Sequence, residues 1–163
     1  MTDKKNRNLP SHLDPAKRDF DLFLSPFYLV AHADFKYHED LDKAIAKFGL
    51  DRATYRLLTV LMRRSPINIK TLATLALLKR STASRALDRM RRDGLVKHYL
   101  NKDDNRITDV HLTEEGRDLA EKVMQLGSRQ VKRAVEGLDE AQLQELTVLL
   151  RHLVNNLSKL PIE

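Results

Sequence analysis

The sequence predicts a mainly helical fold carrying a small β element (α+β), and three features lead to that expectation. Apolar residues recur every three or four positions along most of the 163 residues. Only five Gly and five Pro punctuate them. Two short apolar or alternating runs around a polar tip interrupt the helical rhythm once, past the middle of the chain.

Between Asp14 and Phe48, the residues Phe20, Leu24, Phe27, Ala31, Phe35, His38, Leu41, Ile45 and Phe48 form a helical stripe. Asp14 before Pro15 and Ser25 before Pro26 each look like a cap followed by proline at the first helical position, so two helices are expected to meet near Ser25. Gly49 ends the stripe. Asp51 caps the next helix, with Tyr55, Leu58, Leu61 and Met62 inward, and Ser65-Pro66 stops it. Asn68 caps a third helix with Leu72, Leu75 and Ala76 on one face. A break at Leu77 to Lys79 leads to a fourth, whose inward positions are Ala83, Ala86, Leu87 and Met90 and whose stop is Gly94.

Leu95 to Leu100 and Ile107 to Leu112 read as two strands of a hairpin, with 101–106 as its polar tip. Thr113 caps a fifth helix whose Glu114 and Glu115 suit the positive end of its dipole. This helix carries Leu119, Val123, Leu126 and Val131 or Ala134 inward, and Gly127 is expected to interrupt or bend it. The last helix opens on the box-like Asp139 to Gln142. Its Leu143, Leu146, Leu150, Leu153, Leu157 and Leu160 make a heptad seam, which Leu149 and Val154 widen. A stripe that wide needs two surfaces, its own lobe and a second copy of the chain.

Composition narrows the function. No apolar run reaches the ~20 residues of a membrane span, and the N-terminus lacks the apolar core of a signal peptide, so a cytoplasmic protein is expected. Cysteine is absent, which removes disulfides, thiolate metal sites and thiol redox chemistry. The nearest catalytic string, His38-Glu39-Asp40-Leu41-Asp42, lacks the second His of a zinc protease motif, and neither a G-x-S-x-G nor a P-loop is present; no enzyme is expected. His12, His38, His111 and His152 have no metal-ligand spacing, and no cofactor or metal is expected.

The net charge of +6 is unevenly placed. From Arg63 to Arg106 there are twelve Lys or Arg against four Asp or Glu, leaving the remaining residues slightly acidic. Helix, tight turn, helix and two-stranded wing within that one basic segment is the geometry of a winged helix-turn-helix. The second helix of such a pair enters a major groove about 12 Å wide, so its outer face needs short polar groups and long cations. Lys79, Arg80, Ser81, Thr82, Ser84, Arg85 and Arg89, with Asp88, supply that face. Arg85, one turn in, is placed to read guanine, whereas Lys79 and Arg80 suit phosphates.

The run Asp104-Asn105-Arg106-Ile107-Thr108-Asp109-Val110-His111-Leu112-Thr113-Glu114-Glu115-Gly116-Arg117 resembles the D-x-R-x-x-x-V-x-L-T-x-x-G-R pattern of MarR-family regulators at every fixed position. Leu72-Ala73, Ser84-Arg85, Asp88-Arg89-Met90 and Asp93-Gly94-Leu95-Val96 are similar to the family's helix-turn-helix at its usual spacing. The resemblance implies a homodimer with interlocked terminal helices, divided into dimerisation helices at 1–48, a winged DNA-binding lobe at 49–113 and C-terminal dimerisation helices at 114–163. It also implies a wing tip at the minor groove, with Asp104 holding the loop and Arg106, Asn105 or Lys102 entering. The chain departs from the family at Asn105, where many relatives carry Arg, and at Leu77 and Lys79, where small turn residues are common.

The resemblance further implies a repressor released from a roughly palindromic double-stranded operator when a small effector, often an aromatic acid or thioester, binds between the two lobes. Phe27, Tyr28, His32, Phe35, Tyr55 and Arg56 are the candidate lining, with His32 and Arg56 available to a carboxylate. Phe27 and Phe35 as plain core is the competing expectation for that site. An architectural DNA-binding protein without a ligand is the alternative reading of the basic wing.

Overall fold

A computed structural model describes residues 9–101 and 103–158 of the chain. Lys102 and Leu160 therefore lie outside the described residues. Six α-helices and a three-stranded antiparallel sheet are formed by these residues: α1 Pro26–Ala46, α2 Arg52–Leu61, β1 Ile67–Asn68, α3 Ile69–Leu75, α4 Arg80–Arg92, β2 Val96–Leu100, β3 Thr108–Leu112, α5 Glu114–Ala134 and α6 Glu140–Leu157. None of the helices is long and apolar enough to cross a membrane.

Four helices begin where the capping residues predict. Asp51, Asn68, Thr113 and Asp139 each accept, through a side-chain oxygen, the backbone N–H three residues on, satisfying one of the orphan donors of the first turn. At Asp139 the box is complete, because the Gln142 side chain returns a bond to the Asp139 N–H.

The core is one cluster. Leu41 and Ile45 of α1, Leu57, Leu58 and Leu61 of α2, Leu72 and Ala73 of α3, Ala83, Leu87 and Met90 of α4, Val96 and Val110 of the sheet and Val123 of α5 are all buried in it. The head is thus a packed unit in which α2 sits centrally, against α3, α4 and α5. The hairpin pairs Val96 with Leu112 through to Leu100 with Thr108.

Four expectations are corrected. The 14–25 segment forms no α-helix: the Asp14 carboxylate accepts the Ala16 N–H in a turn, and only short 3-10 turns occur, at Ser11–Leu13 and Leu22–Leu24. A single α-helix starts after Ser25 with Pro26 at its first position, as predicted. The sheet has a third strand, β1, whose Ile67 pairs with Val110 and Asn68 with Asp109. Leu75 is half-exposed at the end of α3 and the inward pair is Leu72 with Ala73. Gly127 does not interrupt α5; it is a buried packing position where the Tyr55 phenol comes so close that a Cβ would collide with it.

The ends of the chain behave differently from the head. α6 buries no residue, and Leu146, Val148, Leu149, Leu150, Val154 and Leu157 are all exposed on it. The first half of α1 is equally open, with Phe27, Leu29, Val30 and Phe35 exposed beside Phe23 and Leu24. Among the described residues α1 buries only its C-terminal half, at His38, Leu41 and Ile45.

Candidate nucleic-acid interface

The turn between α3 and α4 sets where the outward helix begins. Leu77 takes a left-handed φ of 56°, and the Leu78 N–H reaches back to the Ala73 carbonyl at 2.9 Å, closing α3. Lys79 then stands at the N-cap of α4 without a side-chain cap bond. α4 buries Ala83, Ala86, Leu87 and Met90 and turns Arg80, Ser81, Arg85, Asp88 and Arg89 to solvent, with Thr82 and Ser84 half-buried at the margin. The face predicted from the sequence is therefore the exposed one. Arg85 folds back along the helix, Nε donating to the Ser81 carbonyl at 3.4 Å, while its guanidinium end remains outside.

Arg89 is placed differently from its predicted neighbours. Its Nη2 meets the Asp51 carboxylate at 2.5 Å, joining α4 to the N-cap of α2. Asp51 is partly buried, which raises its carboxyl, but the Thr54 N–H and hydroxyl and the Arg89 charge outweigh that and hold it below the usual aspartate range.

The wing loop is built by three side chains. Asn101 Oδ1 accepts the N–H groups of Asp103 and Asp104 at 2.9 and 3.1 Å, and its Nδ2 donates to Asp109 at 2.7 Å. Asp104 then accepts the Arg106 backbone N–H and, bidentately, the Arg106 guanidinium, each bond at 3.0 Å. These bonds hold the Asp104 carboxyl below its ordinary range. The Arg106 side chain is nonetheless 90% exposed, so the pair orients the cation outward without hiding it. Asn105 is exposed at the same tip.

Behind the wing, Thr113 ties the hairpin to α5. Its hydroxyl donates to the Gly94 carbonyl at 2.7 Å and accepts from the Gly116 N–H at 3.0 Å, and its own N–H bonds the Leu95 carbonyl. Gly116 lies against the Leu95 carbonyl with no room for a Cβ, which explains a glycine three residues after that threonine. His98, on the inner face of β2, has a buried Nε2 without a partner among the described residues; burial, then the nearby Arg91, pushes its pKa down against the pull of Asp88.

The six candidate effector contacts are not gathered around one cavity of the single chain. Tyr28 and His32 lie one turn apart on α1 with tilted rings whose centres are 5.7 Å apart, and Phe23 packs edge-on to Tyr28. Phe27 and Phe35 are exposed, so they are not core of this lobe. Arg56 reaches from α2 toward α1, its Nη2 4.0 Å from Asp34 Oδ1. Tyr55 points the other way, to Gly127 and Tyr37, and Tyr37 is pushed up to about 12 by burial and by Tyr55.

Sequence reasoning missed Asn68, Lys70 and Thr71 as neighbours of the wing. They line a cleft of about 410 Å³ with Arg80, Arg106 and Thr108. The signal was present only as a lysine just past a helix cap.

Comparison with known proteins gives a consistent picture. The MarR family model matches residues 48–107. The HTH-type transcriptional repressor IacR of Pseudomonas putida is 33% identical over 150 residues, spanning 92% of this chain and 90% of that protein. A MarR family transcriptional regulator from Silicibacter pomeroyi superposes with a TM-score of 0.79 at 27% identity, over 87% of this chain and 96% of that one. The Bordetella bronchiseptica regulator BpsR, whose structure concerns regulation of DNA binding by 6-hydroxynicotinic acid, has the same fold, with a TM-score of 0.70 at 20% identity over 78% of this chain and 97% of its own.

Proposed function

The chain belongs to the MarR family of transcriptional regulators, and from that premise we propose that it is a homodimeric repressor that grips an operator through α4 and the wing and lets go when a small aromatic acid or thioester binds. The observation that carries this reading is the division of the surface. One side of the head presents Arg80, Arg85 and Arg106 to solvent, while α6 and the first half of α1 present apolar side chains that this chain leaves uncovered. Exposed apolar faces of that extent mark an interface, and a second copy would supply a second reading head at fixed spacing.

In this reading 1–48 and 114–163 form the dimer body and 49–113 the DNA-binding lobe. Arg85, with Ser81, Thr82 and Ser84 beside it, reads bases in the major groove. Lys79 and Arg80 take phosphates, and Arg106 or Asn105 enters the minor groove, where a narrow groove concentrates negative potential. Arg89 serves this face only after leaving Asp51. The effector lies on α1 and α2, its ring against Tyr28, Phe27 or Phe35 and its carboxylate at His32 and Arg56, while Tyr55, turned to Gly127 and Tyr37, is left out of the site. The aromatic acid named for BpsR supports that chemical class. Because α2 also carries Asp51, which holds Arg89, an effector that moves Arg56 acts on the reading head directly; a coupling of about 1 to 3 kcal/mol suffices for a switch.

An operator of two half-sites about 10 base pairs apart is expected, one helical turn between centres. The test is a titration of the full dimer against operator and scrambled duplex, with Arg85→Ala alongside. Arg85→Ala should cost about 1 to 3 kcal/mol on the operator and relax base preference. Equal wild-type affinity for every duplex, with DNA coated rather than a discrete footprint, would favour the architectural alternative. Aromatic acids that change neither the melting temperature nor operator affinity would remove the effector.

A further inference from the structure

We propose that the cleft between α3, the start of α4 and the wing is a phosphate site, in which Lys70 and Thr71, together with Arg80, hold the DNA strand that separates the two grooves. The inference rests on the DNA-binding reading above and adds Lys70 and Thr71 to it. Three cations from separate segments, Lys70, Arg80 and Arg106, converge on this cleft, and no carboxylate is among its lining residues. Arg106 is paired with Asp104. Among the described residues, neither Lys70 nor Arg80 has a carboxylate partner, and the Thr71 hydroxyl makes no hydrogen bond, its backbone N–H alone being used by the Asn68 cap. Lys70 and Thr71 are both exposed.

The geometry dictates the ligand. With α4 in a major groove and the wing in the neighbouring minor groove, the phosphodiester backbone between those grooves has to pass between Arg80 and Arg106. Lys70 and Thr71, which line the cleft together with Arg80 and Arg106, lie on that path. A strand carries one phosphate per roughly 3.4 Å of helix axis, so a crossing strand always offers one to this position whatever its sequence. The site is therefore a register contact that adds affinity equally to all duplexes and reads no base.

Operator and scrambled-duplex affinities of the full dimer, measured across a KCl series for wild type, Lys70→Ala, Lys70→Arg and the distant surface control Lys132→Ala, test this. Lys70→Ala should weaken both duplexes by the same factor and lower the slope of log affinity against log salt by about one. Lys70→Arg should keep the wild-type slope, and Lys132→Ala should leave it unchanged. An unaltered slope in Lys70→Ala overturns the proposal, as does a loss confined to the operator. Inorganic phosphate, followed by 31P NMR, separates the sources: binding that depends on Lys70 while the duplex slope does not would make this a free-anion site and overturn the strand assignment. If Arg85→Ala relaxes base preference while Lys70→Ala keeps the slope, only the clamp falls; if wild type binds no duplex, the function reading falls with it.

Discussion

Replacing Gly116 with alanine sets two known effects against each other, and the structure decides which wins. Gly116 lies in the first turn of α5, where alanine is favoured over glycine by about 1 kcal/mol on helix propensity. The added Cβ, however, would run into the Leu95 carbonyl oxygen, with the Leu95 carbonyl carbon at 3.0 Å and Leu112 Cδ1 at 2.9 Å. Two of those atoms are backbone, fixed by the Thr113 N–H and by the Leu95 N–H bond to Met90, so relief requires the β2 end of the hairpin to move off α5. Overpacking of this kind costs about 1 to 3 kcal/mol, and with rigid backbone as the obstacle the upper half applies, leaving a net loss of about 1 to 2 kcal/mol. Gly127→Ala is the internal comparison, because its Cβ meets only the tip of the Tyr55 phenol, which can swing. At equal protein concentration, thermal unfolding should place Gly116→Ala about 2 to 8 °C below wild type, with Gly127→Ala between them. A Gly116→Ala midpoint at or above wild type, or a larger loss in Gly127→Ala, would refute the reasoning.

Two further outcomes are expected. Leu146→Glu combined with Leu150→Glu removes nothing from the buried core, since both side chains are exposed on α6; four unpaired carboxylates in a dimer seam, two from each copy, should raise the dissociation constant about 700-fold or more by sedimentation, from about 1 to 3 kcal/mol each, and an unchanged dimer would show that this face is not the seam. His98 bears on pH. Its folded pKa lies below the ordinary value, so the unfolded chain takes up the proton first; the stability this side chain contributes is present above about pH 6.5 and drains away as pH falls through the lower folded value. The melting temperature should therefore drop from pH 7 to pH 5, and His98→Leu should flatten that drop. An equal drop in the variant would assign the titration elsewhere.

What could be read from the chain is what local chemistry decides. Asp51, Asn68, Thr113 and Asp139 cap their helices because an oxygen one or two bonds from Cβ meets an N–H three residues later, and no distant residue is needed. The inward side of α4 was legible for a similar reason, four small or aliphatic residues at helical spacing among cations. β1 was not, since two residues carry no periodicity and their strand character comes wholly from β3, more than forty positions away. The segment 14–25 carried a cap and a proline but stayed irregular: so short a helix is marginal without a surface to bury against, and Leu22, Phe23 and Leu24 stay exposed among the described residues. Gly127 was misread as a break because the phenol that requires it, Tyr55, is on another helix.

The same distinction between local and distant partners sorts the charges of the basic segment, which the sequence could only count. Arg89 is held by Asp51, Arg91 lies 3.7 Å from Asp88 and Arg106 is forked on Asp104, whereas among the described residues Lys70, Lys79, Arg80 and Arg85 have no carboxylate within reach. Exposed pairs of this kind contribute only about 0 to 1 kcal/mol, so their importance is positional. The Asp51 pair docks α4 on the helix that also carries Arg56, and the Asp104 pair aims the wing. Lys70, Lys79, Arg80 and Arg85 lie on α3, the turn and the first half of α4, between these fixed points; Arg63, Arg64, Arg92 and Lys97 are likewise without a carboxylate partner among the described residues. Charge that no protein carboxylate neutralises there is charge available to a polyanion, and its placement around α4, rather than the net charge of the chain, is what supports the proposal that this side of the head meets DNA.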